Sequence, residues 1–261
     1  IKQLFSLFFI AENIPFEIGY TNDRMLQPFD YSFPNWDNLK NCLFYFTNSK
    51  QYLAPNEFLY RIPFYPATWC KQEAMFCKVN EDNDKKNAHA EKRLLDEFSA
   101  SENYHNHDVK VHFDEQMDTA YVQITNAFQG YNAIELLPLF IFLEDEKREE
   151  AVKQIIRISD KEEKTEVFTY TNNSFTSITE RKPLTVSTTI HATNIVEKAG
   201  NKYLFKIGDL IGRQSELYQE HERQFDMEIP NPHQYTRTIH VKIPEGYTVN
   251  NLQKLKMNIV S

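Results

Sequence analysis

The chain has 261 residues, with 29 Lys and Arg against 37 Asp and Glu, and its formal net charge is −8. Apolar residues make up 41 % and aromatic residues 14 %, a composition that excludes a disordered chain, a collagen and a coiled coil. The negative balance argues against nucleic-acid binding, which requires a basic face. No apolar run approaches the roughly 18 residues that a membrane-spanning helix needs. The length suffices for one large domain or two ordinary ones, each with a real hydrophobic core.

The chain is predicted to begin with a helix and a strand. Apolar residues lie nearly all round the segment Ile1–Asn13, which predicts a buried helix with Phe8 deep in the core. This helix has no N-cap and the chain does not begin with Met, so we expect part of a longer protein. Phe16, Ile18 and Tyr20 then alternate in the manner of a β-strand.

A loop and a β-hairpin are predicted next. Pro28, Pro34 and several asparagines make residues 27–38 an irregular loop. The dense apolar run Cys42–Phe46 has the length of a strand, and Gln51–Leu53 begins a second strand after a polar turn. These elements therefore indicate a helix packed with antiparallel strands.

A polar stretch separates this part from the rest of the chain. Residues 79–108 are predicted to form a polar linker that contains a helix over Lys85–Phe98, with Leu94, Leu95 and Phe98 as its apolar stripe. The polar run Ser99–Asp108 is the candidate boundary.

Residues 109–261 are predicted to form a β-rich, sandwich-like domain with one linking helix near residues 144–158. Alternating apolar residues predict a hairpin from Val109–Phe113 and Ala120–Ile124. Further strands are predicted at Val167–Tyr170, Leu184–Thr193, Lys202–Ile207, Tyr235–Ile243 and Leu255–Val260. The predicted fold class of the whole chain is α+β.

Three histidines, His105, His107 and His112, are considered as metal ligands because alternate residues of a strand point the same way. No carboxylate or cysteine completes the set, and His105 falls in a polar loop, so exposed loop histidines are favoured. The chain has no Gly-rich phosphate loop and no motif of a known metal or serine-hydrolase site. The sequence therefore predicts neither a metal nor a cofactor.

Cysteines and clustered aromatic residues are the remaining candidates. Cys42, Cys70 and Cys77 cannot all pair within one chain, and buried or idle thiols are expected. Aromatic residues gather with prolines in residues 28–69, namely Tyr31, Trp36, Tyr65 and Trp69. This cluster is compatible with a peptide- or sugar-binding surface and equally with a proline-pinned loop that packs on the core.

The order of elements resembles the second half of a papain-like transglutaminase core. The helix ends in Ala11–Pro15, a strand and the run Thr21–Arg24 follow, and the hairpin ends in Tyr52–Pro55. In large bacterial cell-envelope proteins of this kind, a helix ending in "GIP", an Asn-Arg pair and an "LDPT" hairpin occur in this order. The resemblance implies a transglutaminase-like core over residues 1–78.

The C-terminal part is similar to the β-rich domain that follows this core in the same family. Tyr235–Tyr247 and Val249–Leu252 match a run of the form "lPeGy.v.nl", and Phe128–Tyr131 is similar to a short segment before the family's linker helix. Localisation in the periplasm or cell envelope is implied by the resemblance alone.

The resemblance also implies that the catalytic positions are degenerate. Active members of the family use a Cys nucleophile, a His base and an Asp that orients the His. The position of the Cys falls before Ile1, the position of the His matches Asn41, and that of the Asp matches Ala54. Asn cannot act as a general base, and Ala has no acceptor for an imidazole.

Two hypotheses of function remain open. The first is a non-catalytic envelope protein that serves as a binding or scaffold module for a peptide, protein or glycan. The second is an acyl-transfer enzyme of the transglutaminase or cysteine-protease type, whose nucleophile lies upstream of this chain. The first is favoured because Asn41 and Ala54 remove two of the three groups that the chemistry requires. A carbohydrate-active β-sandwich partner is a third, weaker hypothesis.

Overall fold

The computed structural model describes residues 1–33, 35–82, 85–156, 164–166, 168–212, 221–224 and 226–255. They form an α+β fold with a five-stranded sheet, a six-stranded sheet and a two-stranded ribbon, which confirms the predicted class. Within the described residues, no helix is long and apolar enough to cross a membrane.

The first sheet contains the predicted helix, strand and hairpin in the predicted order. Its elements are α1 (Lys2–Ala11), β1 (Phe16–Thr21), β2 (Asn41–Phe46), β3 (Gln51–Leu53), β4 (Glu73–Asp82) and β5 (Lys85–Leu94). The strands are antiparallel in the order β3-β2-β1-β4-β5. Gly19 lies at the centre, where a Cβ atom would stand 2.4 Å from the Phe76 ring. Only glycine therefore leaves room for this ring across the sheet.

The first helix is less buried than its sequence predicts. Phe9 packs edge-on against Phe16, Phe44 and Phe46, whereas Phe8 is 54 % exposed. The prediction of Phe8 as a core residue is wrong, because one face of α1 contacts the sheet and the helix turns Phe8 away from it. Leu4, Leu7 and Ile10 of this helix are also exposed, whereas Phe5 is half-buried.

The predicted linker is mostly β-structure. The helix expected over Lys85–Phe98 is wrong, since Lys85–Leu94 forms β5 and pairs with β4 along its whole length. The segment 79–108 thus contains the end of β4, all of β5 and the start of the next strand, rather than a linker. An ion-pair network supports the hairpin: Glu17 contacts Arg93 at 2.6 Å, and Lys78 contacts Glu91 at 3.1 Å. These cross-strand pairs favour a strand over the helix that the residue types alone would allow.

The second sheet and its helices occupy the rest of the chain. The elements are β6 (Tyr104–Phe113), β7 (Ala120–Phe128), α2 (Tyr131–Phe142), α3 (Asp145–Ile156), β8 (Lys164–Thr165), β9 (Thr169–Thr171), α4 (Phe175–Thr179), β10 (Leu184–Ala192), β11 (Val196–Ala199), β12 (Lys202–Phe205) and β13 (Gln234–Val241). The strand order is β13-β6-β7-β10-β8, with β9 also beside β10. The strands are antiparallel except β13, which runs parallel to β6.

One face of the second sheet is buried and the other is open. Residues of β7 and β10 alternate between buried and half-buried or exposed along each strand. The buried face packs on α2 through Ile134 and Leu137, and on α3 through Val152. The ribbon β11–β12 contributes Val196 and Phe205 to the same core. The layer opposite the sheet therefore consists of helices with a small ribbon.

The sequence predictions for this half are confirmed in most elements. The hairpin β6–β7 and the strands β10, β12 and β13 lie where alternation predicts them, and α3 lies within the predicted 144–158. The apolar run at Leu136 belongs to a second helix, α2, so the expectation of one linking helix is wrong. The strand predicted at Leu255–Val260 lies outside the described residues except Leu255, the end of a 3₁₀ turn.

Candidate functional site

A polar cavity of about 520 Å³ opens where β1 ends and β2 begins. Segments from four parts of the first 70 residues meet there, because β1 and β2 are adjacent strands and the following loops fold back over their ends. The lining residues are Asn22, Asp23, Leu26, Gln27, Lys40, Asn41, Glu57, Tyr60, Pro66, Thr68 and Trp69. The cavity is the candidate functional site.

Asn41 lies in this cavity at the first position of β2, opposite Thr21. In the amide orientation that satisfies both neighbours, its side-chain oxygen accepts hydrogen bonds from Trp69 Nε1 at 3.1 Å and from the Asp23 amide at 3.2 Å. Asn41 thus connects the strand to two other segments of the cavity wall. It has no group that could take a proton from a nucleophile.

Ala54 follows β3 and is buried, with 3 % of its surface exposed. It belongs to a core cluster with Leu43, Tyr65 and Phe76 and is absent from the cavity wall. The Ala54 side chain therefore offers the cavity no hydrogen-bond acceptor. A catalytic base at position 41 would have no such side chain to orient it.

Two carboxyl groups, of Asp23 and Glu57, line the cavity. Asp23 is fixed, since its side chain accepts hydrogen bonds from the Met25 amide at 3.0 Å and from the Thr68 hydroxyl at 2.8 Å. Burial, and secondarily the charge of Asp23, raises the pKa of Glu57. Burial, with Glu135 and Glu57 nearby, raises the pKa of Tyr60 to about 12, so its hydroxyl stays protonated at neutral pH. The wall therefore offers mainly oxygen atoms to a ligand.

Asn22 adds an unsatisfied acceptor to this wall. Its amide nitrogen donates to Asn38 Oδ1 at 3.2 Å, and its own Oδ1 is buried without a hydrogen-bond partner among the described residues. Asn38 cannot turn its amide nitrogen towards the Asn22 oxygen, because that nitrogen already donates to the carbonyls of Asp30 and Phe33. A buried acceptor without a donor is costly unless a ligand or water supplies one.

The three thiols are not activated. Cys42 and Cys70 are buried, as predicted, and Cys77 is half-buried. Burial raises the pKa of Cys42 to about 11 and also raises the pKa values of Cys70 and Cys77. All three are therefore neutral thiols at pH 7, whereas nucleophilic catalysis requires a thiolate.

The four aromatic residues predicted to bind a ligand fall into two pairs. Trp36 is 88 % exposed and Tyr31 is 41 % exposed, both in the loop that precedes β2. Tyr65 and Trp69 are 3 % exposed and belong to the core, so they cannot offer a ring face to a ligand; Trp69 contributes only to the cavity wall. The structure thus separates the predicted surface into an exposed pair and a buried pair.

The loop adds apolar residues that the sequence does not single out. Leu26 is 86 % exposed and lines the cavity, and Phe33 is 63 % exposed. Asn38 holds the loop backbone at Asp30 and Phe33, so these exposed side chains lie on a fixed loop rather than a loose one. The residue type alone does not show which of them face solvent.

The histidines of interest lie on β6, not in a loop as expected. His107 is buried; its Nδ1 lies 2.8 Å from Asn126 Oδ1 and its Nε2 lies 2.9 Å from the Leu210 carbonyl oxygen. His105 contacts the same Asn126 oxygen at 2.8 Å, and burial lowers its pKa to about 4. Within the described residues, no group of three or more His, Cys, Asp or Glu is arranged to hold a metal ion.

Arg24 binds a C-terminal segment, residues 228–230, next to the cavity. The Arg24 guanidinium donates to the carbonyls of Ile229 and Pro230 at 2.9 and 2.8 Å, and its Nε lies 3.0 Å from a Glu228 carboxylate oxygen. Arg24 itself is buried and directly follows Asp23 of the cavity wall. The segment 228–230 is therefore a neighbour of the candidate site.

Comparison with known proteins gave no relative: no family model, no curated protein and no solved structure matches this chain.

Proposed function

We propose that this chain is a non-catalytic, degenerate transglutaminase-like module of the bacterial cell envelope that binds a peptide, protein or glycan. The observation that carries the proposal is Asn41, whose carboxamide is bound to Trp69 and Asp23 at the position that the resemblance gives to a catalytic histidine. The order α1, β1, β2, β3 is the order that the resemblance implies and supports it. The assignment to the envelope rests on the resemblance alone.

The chemistry of the cavity supports binding rather than acyl transfer. Its wall combines the Asp23 and Glu57 carboxyl groups, an unsatisfied Asn22 oxygen and the amide of Asn41, which are groups that hydrogen-bond to amide or hydroxyl groups. Leu26 adds apolar surface to the wall, and Trp36 is exposed in the same loop between β1 and β2. The alternative, a cysteine acyl-transfer enzyme, requires a base at the position of Asn41.

Thiol chemistry tests the part of the proposal that concerns this chain, namely that none of its own cysteines is a nucleophile. At pH 7 an activated acyl ester should not acylate the folded chain at any cysteine, because all three thiols are neutral and two are buried. The measurement is mass spectrometry of the intact protein over time, with urea-unfolded chain as the positive control for labelling. Rapid labelling of the folded chain at a single site, lost in one Cys→Ser variant, would overturn the proposal.

Ligand screening tests the binding function and its site. Peptide and glycan arrays are probed with the wild-type chain, and each ligand found is titrated against Trp36→Ala and Asp23→Asn. We expect both variants to weaken binding by about tenfold, the effect of losing one buried contact of about 1.4 kcal/mol. Phe142→Ala, which truncates an exposed aromatic residue at the end of α2, is the matched control. Unchanged affinity in both site variants would remove the cavity from the proposal.

A further inference from the structure

The outer side of the six-stranded sheet is a continuous polar surface, here called the open face. Its residues alternate along β6, β7, β10 and β13 with those that pack into the core. Apart from Ala127, the side chains on the open face of these strands are polar, and they carry hydroxyl, amide, imidazole, ammonium or carboxylate groups. A solvated sheet face needs polar residues, but it does not need its basic side chains to lie together at one end, as they do here.

The basic side chains gather at one end of the open face. His240, Lys110, Gln123 and Thr189 form a row across four strands, because each is the register partner of the next. The adjacent row contains His112, Tyr121 and His191, and Lys242 follows directly after β13. A concave region of about 770 Å³ lies over this end and is lined by both lysines, His112, Gln123, Thr189 and His240.

Two carboxylate groups lie near this end, each beside a histidine. Asp108 Oδ2 lies 3.9 Å from His240 Nε2, and Glu166 Oε1 lies 3.0 Å from His191 Nε2. Lys110 and Lys242, in contrast, are exposed and have no carboxylate partner in the part of the chain that the structure describes. Two exposed lysines on the wall of one concave region favour an anionic ligand.

Rings and hydroxyl groups extend the same surface. His112 and Tyr121 stack with centroids 4.8 Å apart and planes 8° apart, and His191 meets Tyr121 edge-on at 4.8 Å. Beyond the cationic end, the rows continue with hydroxyl groups, among them those of Thr125 and Ser187, which lie 3.2 Å apart. The open face therefore carries its ammonium groups at one end, and its hydroxyl groups continue from there along the sheet.

We propose that the open face binds an anionic polysaccharide. Carboxylate groups of the sugar acids pair with Lys110 and Lys242, and the sugar hydroxyls hydrogen-bond to the threonine, serine and glutamine side chains. A polymer is favoured because hydroxyl groups continue on the rows beyond Lys110, Gln123 and Thr189, where a small anion bound at the lysines would not reach. This site lies on the second sheet, with lining residues that differ from those of the Asn41 cavity.

Binding of polygalacturonate, a carboxylate polysaccharide, tests the proposal. The wild-type chain should bind it at low salt, weaken as salt rises, and fail to bind dextran, a neutral polysaccharide. The double variant Lys110→Gln, Lys242→Gln should lower the affinity at least about tenfold, because hydrogen bonds from a charged donor are stronger than those between neutral groups. Lys147→Gln with Lys153→Gln on α3 removes the same charge elsewhere and should change the affinity little.

The hydroxyl groups distinguish a polysaccharide site from a general anion site. Thr189→Val with Thr238→Val keeps the β-branched shape of both strand residues and should weaken polygalacturonate binding but not binding of inorganic polyphosphate. Circular dichroism and the thermal midpoint report whether each variant is folded. The proposal is overturned if the wild type does not bind polygalacturonate, if both lysine pairs have equal effects, or if the threonine variant binds both polymers like the wild type.

Discussion

Gly130 shows how one residue sets the junction between β7 and α2. Its φ of +62° and ψ of −131° form a conformation that is open to glycine and strained for other residues, and a Cβ atom would stand 2.4 Å from the Glu102 carbonyl oxygen and 2.2 Å from Asn103 Oδ1. The same Asn103 oxygen accepts the Tyr131 amide at 3.1 Å and so satisfies the first turn of α2. Asn103 and Gly130 thus fit together at the start of the helix.

We expect Gly130→Ala to lower the free energy of unfolding by more than about 2 kcal/mol, because left-handed strain adds to a clash with backbone. Gly200→Ala is the matched control, since Gly200 has a similar φ of +64° but no atom within 4 Å of the place that a Cβ would occupy. Its cost should be about 1 kcal/mol. Urea denaturation measures both, and equal losses would show that the contact with Asn103 and Glu102 is unimportant.

At the scale of the element, the sequence predicts strands better where one face is buried. β6, β7 and β10 alternate because each has a core side and an open side, and that alternation is enough to predict them. β5 carries Lys, Ala, Glu and Arg, which are good helix formers, and lies at the sheet edge with little apolar alternation. Its pairing with β4 and the Glu17–Arg93 contact determine its conformation, and neither is local in sequence.

The helix α1 provides a test of element packing. Phe9→Ala should lower the free energy of unfolding by about 3–5 kcal/mol, because Phe9 is buried among Phe16, Phe44 and Phe46. Phe8→Ala should cost less than about 1 kcal/mol, since the Phe8 side chain is half exposed. Both changes remove the same atoms from one helix, so denaturant titration of the pair isolates the effect of burial. A larger loss for Phe8→Ala would contradict the placement of α1 on the sheet.

At the scale of the whole molecule, the candidate site is predictable from the sequence only in part. Asn41 is singled out only because the resemblance aligns it with the position of the family's histidine. Asp23, Glu57 and Tyr60 escape such reasoning, since they come from separate segments that only the folded chain brings together. The polar run around Asn22 indicates no more than a turn, and its buried, unsatisfied oxygen depends on tertiary contacts.

Arg24 connects distant parts of the chain and carries a further prediction. Arg24→Gln removes its hydrogen bonds to the Ile229 and Pro230 carbonyls, so local opening of residues 226–233 should become easier by about 1.5–3 kcal/mol. Hydrogen exchange measured by mass spectrometry on that segment reports the change. Arg61→Gln removes hydrogen bonds to the nearby Phe58 and Tyr60 carbonyls instead and should leave the segment unaffected. Equal exchange in Arg24→Gln and the wild type would show that Arg24 does not hold the segment.

The parallel pairing of β13 with β6 has a consequence for synthesis of the protein. Tyr104 of β6 pairs with Gln234 of β13. During translation, this edge of β6 therefore has no partner strand until β13 leaves the ribosome, long after β7 and β10 have been made. An uncovered strand edge is a template for aggregation, and pairing across so long a loop is slow. Chains released before Gln234 should therefore be the main source of insoluble product during expression, even though they contain most of the hydrophobic core.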